Sequence, residues 1–236
     1  MEQQKLAAEP ASPQRIAWFR DPALPYVVPM AGLLLLLAVG DKLGLGPWEY
    51  AVRVVLLAGL LWFFSRSRVD LRAPHWVGSV LVGTAVFVIW IGPDVLWPGY
   101  RHHWIFNNPL TGAPKSSVPE EWRGLPVVVT GRALRAIVFV PIIEELFWRG
   151  WMMRWLINPR FERVALGTFT PYAFWTSAVL FASVHGAYWE VGLIAGVVYN
   201  WWMVRTRSLG DCTLAHAVTN ALLTTYVFTA GQWQYW

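Results

Sequence analysis

Three clusters of ionisable and polar residues interrupt apolar stretches in the second half of the chain. Ionisable groups at membrane depth cost about 2.5–3.5 kcal/mol each, so they are functional candidates by default. A carboxylate and an imidazole together can hold a water molecule and remove its proton. A second imidazole and an amide can donate hydrogen bonds to an oxyanion that develops on a carbonyl. The clusters contain, in chain order, Glu144, Glu145 and Arg149, then Phe181 and His185, then His216 and Asn220.

The spacing within each cluster predicts different roles for neighbouring residues. Adjacent helical residues point about 100° apart, so Glu144 and Glu145 cannot both face one partner. Glu145 and Arg149 are four residues apart and can form an ion pair along one helix face. Glu144 then points elsewhere. His216 and Asn220 are also four residues apart, which places two hydrogen-bond donors side by side.

Together these groups are the parts of a site that hydrolyses an amide bond without a covalent intermediate. The sequence contains neither a serine nucleophile elbow nor a His-Glu-x-x-His zinc helix. A zinc site made of Glu144, His185 and His216 stays open as a mechanistic alternative, because two histidines and one carboxylate form a known catalytic ligand set. The other alternative is a non-catalytic carrier or scaffold whose buried polar groups hold helices together.

The composition requires these clusters to lie in a membrane protein. Of 236 residues, 56% are hydrophobic and only 14% are charged, and the mean hydropathy is +0.40. A soluble domain normally carries about 25% charged residues. The 17 tryptophans suit a chain that crosses two membrane–water interfaces. This composition excludes a disordered or collagen-like protein. A disulfide-stapled protein is excluded because Cys212 is the single cysteine.

Apolar runs near the length that a spanning helix needs, about 20 residues, recur along the chain. We predict an all-α polytopic transmembrane helix bundle of about seven spans (six to eight), with the catalytic cavity among the last four. Glu49 and Arg53, near the start of span two, are four residues apart and can neutralise each other. The predicted spans are residues 22–40, 47–64, 73–92, 125–157, one within 164–189, 190–204 and 212–230.

We divide the chain into a polar N-terminal segment, residues 1–21, and a single integral membrane domain, residues 22–236. This domain comprises three accessory spans (22–92), a loop (93–124) and a motif-bearing catalytic core (125–236). The distribution of the 19 lysines and arginines favours an N-terminus inside and a C-terminus outside, by the positive-inside rule. Arg132 and Arg135 are assigned to the outer end of helix four, apart from the site.

His185 does not fit this topology neatly. Glu144 lies in the inner half of span four, and His216 lies near the inner start of span seven. A helix that starts at Tyr172 would carry His185 about 20 Å toward the outer face. Either span five begins later and lies obliquely, or Glu144 sits nearer the membrane centre because helix four continues to residue 157. We favour the second interpretation.

The three clusters, in this order on separate membrane helices, resemble the motifs of a known family. Glu-Glu-x-x-x-Arg, Phe-x-x-x-His and His-x-x-x-Asn are similar to those of the CAAX protease and bacteriocin-processing (CPBP) family of intramembrane endopeptidases. The best-known member of that family cleaves the C-terminal tripeptide from prenylated CAAX proteins. The resemblance covers about residues 127–226. The tryptophan content and compact length also resemble the bacterial branch associated with exosortase sorting systems.

The resemblance implies a role for each motif residue. Glu144 matches the general base and His185 the residue that helps it to orient water. His216 and Asn220 match the oxyanion donors. The supporting residues are Glu145, Arg149 and Phe181.

The resemblance also implies a glutamate-dependent mechanism with no cofactor, and zinc remains the alternative. The expected partners are a membrane-associated protein or peptide substrate and the lipid bilayer, with no nucleic acid. The scissile bond is expected near a C-terminus or in a leader. The expected location is the bacterial inner (cytoplasmic) membrane.

Overall fold

The computed structural model describes residues 21–42 and 44–236. The polar segment predicted for residues 1–21 lies, except for Asp21, outside the described residues. In the described part 73% of the structure is helical and there is no strand, so the all-α prediction is confirmed. This part contains seven helices: α1 (Leu24–Val39), α2 (Gly46–Ser65), α3 (Trp76–Leu96), α4 (Pro126–Trp155), α5 (Pro171–Ser183), α6 (Trp189–Thr206) and α7 (Leu209–Ala230).

The seven helices follow the order of the predicted spans but differ in length and polarity. Among the described residues, three helices are long and apolar enough to cross a membrane, namely α2, α3 and α4, and α1 is a shorter apolar helix. Helix α5 has only 13 residues, about 20 Å, because it begins at Pro171 and ends at Ser183. The prediction of a full span within residues 164–189 is therefore wrong. The apolar run there includes the turns on both sides of the helix.

Helix α4 is 30 residues long and contains two π-helical segments, Arg135–Phe139 and Leu146–Met152, on either side of Glu144 and Glu145. In the first segment the Val140 N–H donates to the carbonyl of Arg135. The next bond in this register would join residue 141 to the Ala136 carbonyl. Pro141 has no N–H, so that carbonyl needs a partner from outside the helix.

Small residues allow the helices of the catalytic core to approach closely. Helices α3 and α7 form the most extensive helix pair, and α5 and α6 the next. A side chain at Gly83 of α3 would collide with the backbone of Ala215 in α7, and one at Gly196 of α6 would press on the backbone of Ala178 in α5. Close backbone approach is typical of membrane helix pairs, where van der Waals contact replaces the hydrophobic effect.

The first two helices pack against each other and against α4. The predicted pair in α2 is present, because Arg53 Nη2 lies 3.2 Å from Glu49 Oε2. The Ser65 hydroxyl donates to the Pro25 carbonyl and joins the end of α2 to the start of α1. Cys212 is buried near the start of α7, as expected of a small apolar residue.

Candidate active site

One cavity of about 110 Å³ lies between α3, α4, α6, α7 and the turn that follows α5. A few water molecules fit in a space of this size. Its wall is apolar on the side of Trp90, Val140 and Leu223. Its polar wall comes from four separate segments of the chain. The polar residues are Glu144, His185, Tyr199, His216, Thr219 and Asn220.

Glu144 lines this cavity and is buried by its surroundings. Its Oε2 atom is inaccessible and has no hydrogen-bond partner among the described residues. An unpaired buried carboxylate oxygen is costly unless water or a ligand satisfies it. Glu144 is therefore placed to bind whatever occupies the cavity.

His185 lies just beyond the C-terminal end of α5, before the turn Gly186–Tyr188. The expectation that it sits on an apolar helix is wrong, and the short helix explains why. Its Nδ1 lies 2.7 Å from the Phe181 carbonyl oxygen. A carbonyl only accepts, so Nδ1 carries the proton and Nε2 is left with a lone pair in the neutral ring. The rings of Phe181 and Trp90 hold the imidazole, with centroids 4.5 and 5.4 Å away.

His216 projects from α7 and bonds to the Glu145 carboxylate on α4. Its Nδ1 lies 2.9 Å from Glu145 Oε1. The Tyr199 ring stacks on the imidazole at 5.1 Å between centroids. Because Nδ1 bonds to Glu145, Nε2 is the nitrogen left for a ligand in the cavity.

Arg149 anchors Glu145 from behind the cavity and is 1% exposed. The predicted ion pair is present, with Arg149 Nη1 3.0 Å from Glu145 Oε1. The Arg149 Nε donates to Asn200 Oδ1 at 2.9 Å, and Nη2 donates to the Gly196 carbonyl at 3.2 Å. Asn200 Nδ2 in turn donates to the Phe174 carbonyl at 2.8 Å. This chain of bonds, the Arg149 network, joins α4 to α5 and α6.

Asn220 supplies the partner that the interruption in α4 requires. Its Nδ2 donates to the Ala136 carbonyl at 2.8 Å. An amide nitrogen carries two hydrogens, so one donor remains for the cavity that Asn220 lines. His216 and Asn220 thus lie side by side as their spacing predicts, and each makes one structural hydrogen bond.

Several residues of the site were not predicted from the sequence. The Tyr199 hydroxyl donates to Thr219 Oγ1 at 2.7 Å, and Thr219 donates to the Gly83 carbonyl at 2.8 Å. Asn200 is fully buried within α6. Polar residues inside apolar helices were the available signal, and it applied equally to Tyr199, Asn200 and Thr219.

The loop between α3 and α4 holds the turn that follows His185. Arg101 Nη1 donates to the Ala187 carbonyl at 2.7 Å, and its Nε donates to Asp94 Oδ2 at 2.8 Å. The Arg101 guanidinium carbon lies 4.0 Å from the centre of the Tyr188 ring. Tyr188 stacks on Trp90, which contacts His185. The loop therefore supports the position of His185.

A zinc site here would have to be made from Glu144, His185 and His216. Among the side chains that the structure describes, no three His, Cys, Asp or Glu residues are grouped closely enough to hold a metal ion. Both histidines bond to the protein through Nδ1, so Nε2 of each ring is the nitrogen left for a metal ion or a substrate.

The fold and the cavity define a class of protein. Long apolar helices that enclose a carboxylate, two imidazoles and an amide indicate an integral membrane protein with a polar site between its helices. Residues 126–222 match the family described as type II CAAX prenyl endopeptidase Rce1-like. This match agrees with the resemblance identified from the motifs and covers the part of the chain that carries them. No curated protein and no solved structure matched the chain.

Proposed function

We propose that the protein is a glutamate-dependent intramembrane endopeptidase that cleaves a membrane-associated protein or peptide. The observation that carries the proposal is the convergence of Glu144, His185, His216 and Asn220 on one cavity. A protease needs a water molecule and a carbonyl to meet at a single point, and these four side chains come together there from three separate segments of the chain.

In the proposed first step, Glu144 and His185 hold a water molecule between them. The Glu144 carboxylate takes one proton of the water, while the other hydrogen stays on the oxygen and donates a hydrogen bond to His185 Nε2. The oxygen then attacks the carbonyl carbon of the scissile bond. The unpaired Oε2 of Glu144 supports this role, because a carboxylate without internal partners is free to bind water.

In the same step, the carbonyl oxygen gains negative charge and accepts hydrogen bonds from Asn220 Nδ2 and His216 Nε2. His216 donates from Nε2 only when both ring nitrogens carry hydrogen, and the Glu145 carboxylate at Nδ1 balances that charge. Protonated Glu144 then gives its proton to the leaving amine as the bond to nitrogen breaks. No step passes through a metal.

We also propose a cleavage site near a C-terminus or within a leader, and a bacterial inner membrane location with the N-terminus inside and the C-terminus outside. The Rce1-like match over residues 126–222 supports cleavage near a C-terminus. The positions of the arginines and lysines support the topology.

A comparison of protein C-termini in cells tests this function. Cells that carry the parent protein are compared with cells that carry Glu144→Ala, by terminal proteomics of the membrane fraction. We expect a small set of proteins to retain longer C-termini or leaders in the variant. Glu120→Ala is the matched control, since this loop carboxylate is 89% exposed. Identical termini in parent and Glu144→Ala cells, at equal protein levels, would contradict the proposal.

A further inference from the structure

A second group of buried charges lies away from the catalytic cavity, between α2 and the N-terminal half of α4. Arg132 and Arg135 are three residues apart on α4 and therefore project from the same face. Arg135 is 5% exposed. The proposed peptidase uses neither residue.

Each of the two arginines has one buried nitrogen without a hydrogen-bond acceptor. Among the side chains that the structure describes, these atoms are Arg132 Nε and Arg135 Nη1. The titratable groups that act on Arg135 are Arg132, Arg53, Tyr50 and Glu49. Glu49 is thus the one described carboxylate in this set, and it is bound to Arg53. A buried cation is strongly unfavourable without a counter-charge, so an anion bound at this face of α4 would stabilise the folded protein.

The neighbours of the arginines include aromatic residues of the kinds that concentrate at membrane–water interfaces. The guanidinium carbon of Arg132 lies 5.4 Å from the centre of the Trp236 ring. Nearby, Arg123 lies 5.0 Å from the Trp233 ring. Trp236 packs with Tyr50 in one cluster. Tryptophan and tyrosine concentrate at membrane–water interfaces, where lipid phosphates are the most abundant anions.

From these observations we propose that Arg132 and Arg135 form a binding site for a phosphate group, on a lipid headgroup or as free phosphate. The planar fork of a guanidinium matches phosphate oxygens in a two-bond geometry, and basic pockets between membrane helices bind lipid headgroups. The unpartnered donors of Arg132 and Arg135 are the atoms that would bind it. The site is independent of the proposed peptidase activity.

The unfolding temperature of the purified full-length protein in detergent tests this site. The additives are dioleoylphosphatidylglycerol, dioleoylglycerol (the same acyl chains without phosphate) and inorganic phosphate. We expect the phosphate-bearing lipid to raise the unfolding temperature by about 5 °C, as a ligand that binds only the folded state does. Dioleoylglycerol should cause no shift. An equal shift with inorganic phosphate alone would assign the site to free phosphate, within the same proposal.

Variants connect the shift to the two arginines. The double variant R132Q/R135Q should lose the shift, whereas R66Q, which removes an exposed arginine just after α2, should retain it. A shift of equal size with dioleoylglycerol, or in R132Q/R135Q, would overturn the proposal. No shift with either phosphate source would also overturn it. The comparison of the three additives on the parent protein tests the site even if the double variant does not fold.

Discussion

Two adjacent carboxylates of α4 serve two different regions of the molecule. Glu145 belongs to the Arg149 network, where Arg149 directs all three of its nitrogens to partners on the protein. Oε2 of both carboxylates is buried without a partner among the described residues, but Glu145 accepts hydrogen bonds through Oε1, whereas Glu144 accepts none and lines the cavity. A buried charge that the protein satisfies holds helices together, whereas a buried charge left open is available for chemistry. Two neighbouring residues of one helical turn thus have different roles, Glu145 in helix packing and Glu144 in the proposed catalysis.

The largest expected effect is that of Glu144→Gln. This change keeps the size of the side chain and removes the base, so kcat should fall by about 10⁴-fold, the upper end for a positioned general base. The unfolding temperature should stay within about 2 °C of the parent's, because no internal bond of Glu144 is lost. The measurement is cleavage of a substrate peptide by purified protein, with Glu120→Gln as control.

If Glu144→Gln cleaves at the parent's rate, the assigned base is wrong. If the variant loses activity only because it no longer folds, Glu144 is needed for helix packing, as Glu145 is. The two carboxylates would then not differ in role.

Arg149→Met, in contrast, should act mainly on folding stability. Removing the guanidinium leaves the Glu145 carboxylate buried without its ion-pair partner, which costs about 3–5 kcal/mol of folding stability. The double variant Glu145→Gln/Arg149→Met should recover part of that loss, since neither charge of the ion pair remains. Unfolding of the detergent-purified variants measures the loss of stability in Arg149→Met and its partial recovery in the double variant.

A matched control for the network is Arg160→Met, which alters an exposed arginine of the loop after α4. An Arg149→Met protein as stable as this control would show that the network is not what holds α4, α5 and α6 together.

Asn220→Ala tests the part of the cavity wall that α7 provides. Loss of one oxyanion donor should lower kcat by about 10²-fold with little change in KM. Asn220 also bonds to the Ala136 carbonyl, so a modest loss of stability should accompany it. Thr225→Ala, which changes an exposed residue on the same helix, is the control. A rise in KM at unchanged kcat would assign Asn220 to substrate binding instead of the oxyanion.

Spacing along the chain predicted the contacts that are local. The Glu145–Arg149 and Glu49–Arg53 pairs are four residues apart, and helix geometry alone brings such residues together. The order of the seven helices also followed from apolar runs. The end of α5 did not, because Ala182 and Val184 continue the apolar run and no charged residue interrupts it, while Gly186, at a φ of +54°, turns the chain.

Long-range contacts were beyond the reach of spacing. Asn200 bonds to an arginine 51 residues earlier, and Arg101 bonds to a carbonyl 86 residues later. Both are ordinary polar residues until their partners are known. The unpaired state of Glu144 was likewise predicted only in part. Helix geometry showed that Glu144 cannot share the partner of Glu145, but the cavity that leaves it open also needs segments far from it in the chain.

Trp90→Phe, which changes a residue that holds the His185 ring, should lower kcat less than Asn220→Ala does. The smaller ring weakens the edge-to-face contact with His185 and the stacking on Tyr188. Such aromatic pairs contribute about 0.5–1.5 kcal/mol, so kcat should fall by at most about tenfold. Trp97→Phe, an exposed tryptophan just after the same helix, should cleave like the parent. If the two variants behave alike, the support of His185 by the loop and α3 does not affect catalysis.

The smallest expected effect is that of metal removal. Glu144, His185 and His216 are the residues that a catalytic zinc ion would need, and the proposed mechanism uses the same three to hold water and an oxyanion. Treatment with EDTA or 1,10-phenanthroline should therefore leave the cleavage rate within about twofold of the untreated rate, whereas zinc-dependent hydrolysis loses its activated water when the metal is removed. The test compares treated and untreated protein, then adds zinc back to the treated sample. If activity is lost on treatment and returns when zinc is added, Glu144 is a metal ligand instead of a base that binds water. Both carboxylates of α4 would then have partners in the resting protein.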